Sequence, residues 1–449
     1  MKSPEDARRM AESLVERGVA AGASAADALY VAERSSGVQV RLGETESVSR
    51  SEGEEIGLRL FVGQRSATVA SSDLSDEALG VLAERCLAMA REAPEDPYAG
   101  LAPADLLQSG DPPFLDMDDP VEPDPAELRA RALEAETAAL AIPGVTNSSG
   151  AGAGASACTL ALATSGGFSG AYRTSGHSCT AIAVAGEGAT MQRDYAGHSA
   201  RYIGDLEPSA EIGRKAGERA VARLNPQRPK PGKYPVIFDA RVASTLLGHF
   251  SGAITGSSIA RKTSFLRDRL GEAVFGPGVT IVDDPLRRRG LRSRPFDAEG
   301  VRVSRRELVS AGVLNQWIAD SAAARQLGIE PTGHASRGVG GAPGASPSNL
   351  YMEAGRPLSR EELLASVAEA VLVIELIGQG VNGVTGDYSR GAVGFMVRGG
   401  EIAEPVAEIT IAGNLIDMFA TLEPASDLEF RRGVDAPTIL IPEMTVAAA

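Results

Sequence analysis

Residues 378–422 read GQGVNGVTGDYSRGAVGFMVRGGEIAEPVAEITIAGNLIDMFATL, and this run decides the fold of the C-terminal half. Six glycines precede Arg398, and glycines this close together indicate backbone that takes positive φ or approaches other atoms closely. Alternating apolar residues predict strands near 393–398 and 406–412. The polar side chains between the glycines are Asn382, Thr385, Asp387, Tyr388, Ser389 and Arg390. A polar glycine-rich loop that leads into paired strands predicts the floor of a cleft.

The same run resembles the C-terminal part of the TldD/PmbA family, once described as modulators of DNA gyrase, and specifically the PmbA/TldE branch. The resemblance continues through three further segments: LGEAVFGPGVTIVDDP (270–285), DAEGVRVSRRELVSAGVLNQWIADSAAARQLG (297–328) and GVDAPTILIPEMTV (433–446). It covers the chain from about Tyr234 onward in its motifs, and the first half in the order of its elements.

The charge of the chain limits its partners. A formal net charge of −15 argues against nucleic acid or an anionic membrane as a main partner, because phosphate binding depends on Lys and Arg. One basic cluster stands apart, formed by Arg287, Arg288, Arg289, Arg292 and Arg294. It is interpreted either as a solvated loop or as a docking patch for an acidic partner or a peptide carboxylate.

The N-terminal residues MKSPEDARRM lack an apolar signal segment, and no apolar run reaches the ~18 residues of a membrane helix. The three cysteines, Cys86, Cys158 and Cys179, are scattered and have no CxxC spacing. This pattern is typical of a reducing compartment, so we expect a cytoplasmic protein.

The length of 449 residues predicts at least two domains, since one core stops growing at about 250–300 residues. The predicted division is an N-terminal α+β domain (1–93), a linker rich in proline and acids (94–124), a central α+β domain (125–225) and a β-rich C-terminal domain (226–449). Helix, antiparallel strands and helix appear in that order twice, with strand breaks expected at Gly43, Gly53 and Gly63. The fold class is therefore α+β, and a duplication of the first unit remains open.

The TldD branch of the family is associated with zinc peptidase activity. There the resemblance implies a helix that carries HExxxH and a cysteine ligand near the C-terminus. The matching segment here is LLGHFSGAITGSS (246–258), in which Phe250 follows His249 and no second histidine lies within a helical turn. No cysteine occurs after Cys179. Zinc takes about three such protein ligands, so no metal is expected on this chain and His249 marks a degenerate metal position.

Three other motifs carry less weight. Gly378-x-Gly380-x-x-Gly383 matches a dinucleotide pattern, but turn formers follow it where a helix is required. The run from Gly338 to Gly344 lacks the Lys-Ser/Thr of a phosphate loop. In the segment 174–179, Ser175, His177 and Cys179 would share one face of a strand, and catalytic groups must converge in space, so scaffolding is favoured over a nucleophile site.

The resemblance implies the metal-free subunit of a TldD/TldE-type peptidase complex, which degrades or matures small or unfolded peptides. A TldD-like partner would supply the zinc, and this chain alone would be inactive, as would a homodimer. The candidate chamber-lining residues are Asn382, Thr385, Asp387, Tyr388 and Arg390; Asp387 and Arg390 are expected either to bind peptide termini or to pair with each other. The alternatives are a regulatory protein-binding module of the gyrase-modulator type and a metal-independent hydrolase that uses Ser, Thr or Cys.

Overall fold

The computed structural model describes residues 1–354 and 358–448. The N-terminal half contains four helices and six strands: α1 Pro4–Ala20, β1 Ala25–Arg41, β2 Glu44–Val62, β3 Arg65–Ser71, α2 Asp76–Glu92, α3 Pro125–Leu140, β4 Val145–Thr164, β5 Ser169–Ala185, β6 Gln192–Ala200 and α4 Ser209–Ala222. The predicted order of helix, antiparallel strands and helix is confirmed in both units.

The two units share a single sheet with the strand order β3-β2-β1-β4-β5-β6. β1 pairs antiparallel with β4 from Asp27 opposite Thr164 to Val40 opposite Ala151. The prediction of a break at Gly53 is wrong, because this glycine lies inside β2 opposite Glu33. Gly43 and Gly63 do lie in the turns, where their φ angles of +82° and +61° favour glycine.

All four helices cover the same face of this sheet. On β1 the buried residues Ala28 and Tyr30 pack with α1 and α2, and Val38 and Val40 pack with α3. All four positions are even, and alternate residues of a strand share a face. On the opposite face, Leu29 packs with Phe296 of the C-terminal domain.

The C-terminal domain is largely β, as predicted. Its elements are β7 Gly232–Phe238, α5 Ala240–Ala253, α6 Gly256–Ala260, β8 Val279–Asp283, β9 Arg306–Ser310, β10 Val313–Leu314, α7 Ser321–Leu327, β11 Ala335–Ser336, β12 Gly344–Ala345, β13 Leu350–Ala354, α8 Arg360–Ala365, β14 Glu369–Ile377, β15 Asp387–Arg398, β16 Glu401–Asn414, α9 Leu415–Thr421, β17 Glu423–Pro424, β18 Val434–Asp435 and β19 Ile439–Ala448.

Five of these strands close into a barrel. The order β16-β15-β14-β7-β19 is completed by a further pairing of β16 with β19, from Ile409 opposite Ala448 to Ala412 opposite Thr445. A second sheet, β10-β9-β8-β13-β18, ends in the short edge strand β18. Close backbone approach explains Gly394 in β15, since a Cβ there would lie 1.8 Å from the Leu372 oxygen.

The segment between α2 and α3 ties the two halves together. Gln108 donates its backbone N–H to Gly300, and Arg289 donates its own to Leu115. Leu115 and Met117 are buried. The proline- and acid-rich residues therefore form an arm that runs between the N-terminal sheet and the C-terminal domain. Among the residues described above, no helix combines the length and apolar character needed to cross a membrane.

Candidate functional site

Helix α5 carries His249 beneath the glycine-rich run. The carboxylate of Asp239 caps the helix by accepting the Arg241 N–H at 3.0 Å. Val242, Leu246 and Phe250 bury one side of the helix in the core of the C-terminal domain. His249 is half-buried at the border of that side.

Two residues of β15 meet His249. The rings of His249 and Tyr388 lie edge to face with centroids 6.0 Å apart, and Tyr388 is 1% exposed. Arg390 projects from the same face of β15, two positions further along. We call these three residues the His249 cluster.

The cluster contains polar atoms without partners. His249 Nε2, Tyr388 Oη and Arg390 Nε are buried and make no hydrogen bond with any described residue. Burial, and then the positive charge of Arg390, lower the pKa of the His249 imidazole. Burial raises the pKa of the Tyr388 phenol, so its hydroxyl stays neutral. A neutral imidazole, a neutral phenol and a guanidinium therefore meet in one place, and such a set can bind an anionic or carbonyl oxygen.

This donor set does not fit a zinc ion. Zinc takes about three protein ligands from Cys, His, Asp or Glu, whereas the cluster offers one imidazole beside a fixed positive charge. Within 1–354 and 358–448, no three or more such side chains come together as a metal site would require. The guanidinium of Arg390 would also repel a divalent cation placed near His249.

The other candidate residues form a compact exposed loop. Asn382 Oδ1 accepts the N–H groups of Val384 at 2.9 Å and Thr385 at 3.3 Å. Thr385 Oγ1 donates to Asp387 Oδ2 at 2.6 Å, and Asn414 Nδ2 donates to the second oxygen of Asp387 at 3.2 Å. The loop is thus preorganised by its own hydrogen bonds.

The structure separates the five sequence-predicted residues into two groups. Tyr388 and Arg390 belong to β15 and join His249, while Asn382, Thr385 and Asp387 shape the exposed loop. Asp387 and Arg390 point to opposite faces of the strand and make no ion pair, because they are three positions apart. Their mutual pairing, one of the two expectations from sequence, does not occur.

The Ser-His-Cys segment lies on β5, as predicted, where Cys179 packs with α3 and α4 and His177 lies beside Asp119 of the arm. Ser175 Oγ accepts the Asp119 N–H at 2.7 Å and donates to the Arg201 oxygen at 2.8 Å. His177 Nε2 lies 3.2 Å from Asp119 Oδ2, outside hydrogen-bond geometry. Burial raises the pKa of the Cys158 thiol to about 11 and also raises that of Cys179. These thiols are poor nucleophiles at neutral pH.

A second charged feature extends beyond the sequence-predicted basic cluster. A cavity of about 250 Å³ lies between the central unit and the C-terminal domain. Its arginines are Arg201, Arg287, Arg288, Arg289, Arg431 and Arg432. We call this cavity the arginine cleft. Arg294 of the predicted cluster instead donates to the backbone oxygens of Ala335 and Ser346. Sequence reasoning missed Arg201, Arg431 and Arg432, and the adjacent pair Arg431-Arg432 before Gly433 was the available signal.

Comparisons with known proteins agree over nearly the whole chain. Three family models match: PmbA/TldA metallopeptidase domain 1 (26–90), central domain (118–224) and C-terminal domain (231–448). The metalloprotease PmbA of Escherichia coli O157:H7 is 38% identical, with 99% of this chain and 97% of the relative covered. A PmbA homologue of Haemophilus influenzae is 36% identical over 100% of this chain and 97% of its own length.

Two solved structures share the fold. A protein from Bacteroides thetaiotaomicron, named a "putative modulator of DNA gyrase", superposes with a TM-score of 0.91 at 25% identity, with 100% of both chains covered. TldE from Thermococcus kodakarensis superposes with a TM-score of 0.87 at 20% identity, covering 98% of this chain and 100% of that one. The expected resemblance is confirmed, and the chain belongs to the PmbA/TldD family.

Proposed function

We propose that this chain is the metal-free subunit of a two-chain metallopeptidase that acts on small or unfolded peptides. The single observation that carries the proposal is the His249 cluster, in which a guanidinium stands beside a lone imidazole. The relatives named metalloproteases support the peptidase part, and the shared fold with a TldE supports the assignment to that branch.

In this proposal the two chains divide the work. A TldD-like partner holds zinc, which polarises the scissile carbonyl and activates water when bound. This chain closes the peptide chamber, and its Asn382–Asp387 loop borders that chamber. Arg390 supplies a guanidinium without a carboxylate partner among the described residues, which suits it to hold the carboxylate or a carbonyl oxygen of a bound peptide.

The test begins with metal analysis of the chain alone, of a TldD-like partner alone and of the mixture. We expect zinc at one per pair, none on this chain, and peptide cleavage in the mixture only. Zinc bound by the isolated chain through His249, or chelator-insensitive cleavage by the isolated chain or its homodimer, would contradict the proposal.

The contribution of Arg390 is tested in the mixture. We expect Arg390→Ala to raise the KM for peptide by about tenfold, the value of one lost charge-assisted contact. Arg50→Ala, which removes an exposed charge from β2, is the matched control and should leave KM unchanged. Equal KM values for the two variants would remove Arg390 from the chamber.

A cytoplasmic location belongs to the same proposal. Cys86, Cys158 and Cys179 are all free, which suits a reducing compartment. Fractionation of cells that express the tagged chain would test it, and recovery from the periplasm would contradict it.

The second candidate is a regulatory protein-binding role, favoured by the name of the Bacteroides structure. Affinity purification separates the two. Recovery of a TldD-like chain in equal amount supports the peptidase complex, and recovery of a gyrase subunit in its place supports the regulator. A metal-independent hydrolase that uses a cysteine nucleophile is disfavoured by the raised pKa values of Cys158 and Cys179.

A further inference from the structure

The arginine cleft is a strongly positive site on an acidic protein. Six arginines line it, and only two carboxylates, those of Asp205 and Asp435, line it with them. The whole chain carries −15. The Asp435 carboxylate is also occupied, because it accepts the backbone N–H groups of residues 431, 432 and 433.

Three of the six arginines have their charge matched inside the protein. Arg288 and Arg289 reach Asp116 at 3.1 and 2.8 Å. Arg431 pairs with Glu207 at 2.5 Å. These pairs fix the walls of the cleft.

The other three have no carboxylate within ion-pairing distance in the described part of the chain. Arg201 donates to the backbone oxygens of Gly290, Ser175 and Leu291, and burial lowers its pKa. Arg287 stacks on the ring of Phe430, with its guanidinium carbon 3.2 Å from the ring centroid. Arg432 donates to the Arg241 oxygen. Stacking leaves the N–H groups at the rim of the Arg287 guanidinium open to an anion.

The backbone at one wall of the cleft takes left-handed conformations. Arg289 and Asp116, which pair with each other, have φ angles of +55° and +54°. Left-handed backbone is unfavourable for residues other than glycine, and such residues concentrate at ligand clamps. Gly433, with φ +84°, could not carry a Cβ, because the atom would lie 2.7 Å from the Arg292 side chain. The cleft is therefore built before any ligand arrives.

The cleft opens into a larger cavity of about 710 Å³. The two share His198, Ser199, Arg431, Arg432 and Asp435. Strand β6 and strand β18, the outermost strands of their sheets, border this space. Outermost strands offer unpaired backbone N–H and C=O groups, which an extended peptide can pair with. A space of this volume between two sheet edges suits a peptide better than a small ion.

We propose that the arginine cleft binds an acidic segment of an extended peptide, with its carboxylates against Arg287, Arg432 and Arg201. The carboxylate forks of Asp and Glu match the planar guanidinium group. This proposal does not depend on the proposed function, because its test measures the binding of a peptide to this chain alone.

The test uses a fluorescein-labelled hexaglutamate peptide and the full chain, with binding followed by fluorescence anisotropy at low salt. We expect saturable binding that weakens as salt rises, and no binding of a hexaglutamine peptide. The double variant Arg287→Ala/Arg432→Ala should bind at least about tenfold more weakly. Its matched control is Arg50→Ala/Arg85→Ala, which removes two exposed arginines elsewhere and should bind within about twofold of the unchanged protein.

Several outcomes would overturn the proposal. Equal weakening in both double variants would mean that binding follows total charge. Displacement of the peptide by low millimolar inorganic phosphate would mean a small-anion site. Unchanged binding in Arg287→Lys would contradict the assigned contact, because lysine cannot offer the planar pair of donors that the stacked guanidinium presents. Thermal unfolding of each variant confirms that lost binding does not reflect lost structure.

Discussion

Glu299 is a buried carboxyl group whose surroundings favour the protonated form. It is 5% exposed between the N-terminal sheet and the C-terminal domain. Its Oε2 accepts from the Ser321 N–H at 2.8 Å and hydroxyl at 2.7 Å, and Arg59 lies 3.9 Å from Oε1. Burial, and then the nearby Asp297, raise the pKa of Glu299 to about 7.

This shift makes stability depend on pH with a definite sign. The folded protein keeps the Glu299 proton up to about pH 7, whereas the unfolded chain releases it near 4.5. Between these values the folded state binds more protons, so the free energy of unfolding falls as pH rises. The loss contributed by Glu299 between pH 5 and pH 8 is about 2 kcal/mol.

We therefore expect Glu299→Gln to gain stability relative to the unchanged protein as pH rises, because the amide keeps the acceptor for Ser321 without the charge. Urea unfolding at pH 5, 6.5 and 8 measures this difference. Glu44→Gln, at an exposed position, is the control and should show no such trend. A difference that stays constant with pH would show that Glu299 is already ionised.

For single residues, the sequence predicted the secondary-structure element that carries each side chain better than the side chains that contact it. His249 was placed correctly as one lone histidine on a helix, since the helical pattern of α5 is local. Its neighbours Tyr388 and Arg390 come from a strand far along the chain, and their contact depends on how the barrel closes. Arg287, Arg288 and Arg289 of the arginine cleft already stood out as a basic cluster in the sequence. Arg201 did not, because it is distant in the chain and reaches the cleft only through the fold.

Among the secondary-structure elements, α3 and α4 pack unusually closely because α4 carries glycine at the contact. A Cβ on Gly213 would lie 1.9 Å from the backbone oxygen of Ala135, and one on Gly217 would lie 2.8 Å from that of Ala139. Both helices bury alanines against β4 and β5. The glycines thus set the distance between the two helices.

We expect Gly213→Ala to lower the free energy of unfolding by about 3 kcal/mol, because the backbone of α3 cannot yield as a side chain would. The matched control is Gly80→Ala in α2, where a Cβ meets no atom within 4 Å. That change should stabilise by up to about 1 kcal/mol through helix propensity. Chemical denaturation of both variants measures the difference, and similar effects would contradict close packing at Gly213.

The elements themselves were largely predictable, because caps and apolar spacing are local signals. Ser3, Asp124 and Asp239 cap their helices through side-chain oxygens close in sequence to the N–H groups that they accept. The exception at Gly53 has a physical reason, since the glycine keeps extended backbone when the residues before and after it, Glu52 and Glu54, both pair with β1. The sharing of one sheet by both N-terminal units was not predictable, because the β1–β4 pairing is non-local.

In the whole molecule, Asp194 joins the central unit to the C-terminal domain. This β6 residue is 2% exposed and accepts from Arg241 of α5 at 2.7 Å. Arg223 lies 3.4 Å from it and also reaches Glu375 of β14 at 2.8 Å. Burial alone would raise the pKa of the Asp194 carboxyl, but Arg241 holds it below its usual value.

We expect Asp194→Asn to destabilise by about 3–5 kcal/mol, because the largely buried Arg241 guanidinium loses its anion and Arg223 keeps only Glu375. The two halves should then unfold at different urea concentrations, and a protease should cut more readily in the segment 225–231. Asp268→Asn removes a carboxylate paired at the surface with Arg267 and is the control, worth at most about 1 kcal/mol. A single unchanged transition in Asp194→Asn would show that other contacts dominate the interface.

The closed barrel has a consequence for how a cell makes this protein. β7 pairs with β14 and with β19. Both partners are synthesised late in the C-terminal domain, so the backbone groups at both edges of β7 stay unpaired during most of its translation. All six strands of the N-terminal sheet are synthesised before β7. During synthesis there is therefore a long interval in which the N-terminal sheet has all its strands while β7 still exposes unpaired backbone groups. This interval ends when β19 is synthesised and closes the barrel. Chaperone demand should be concentrated in that interval.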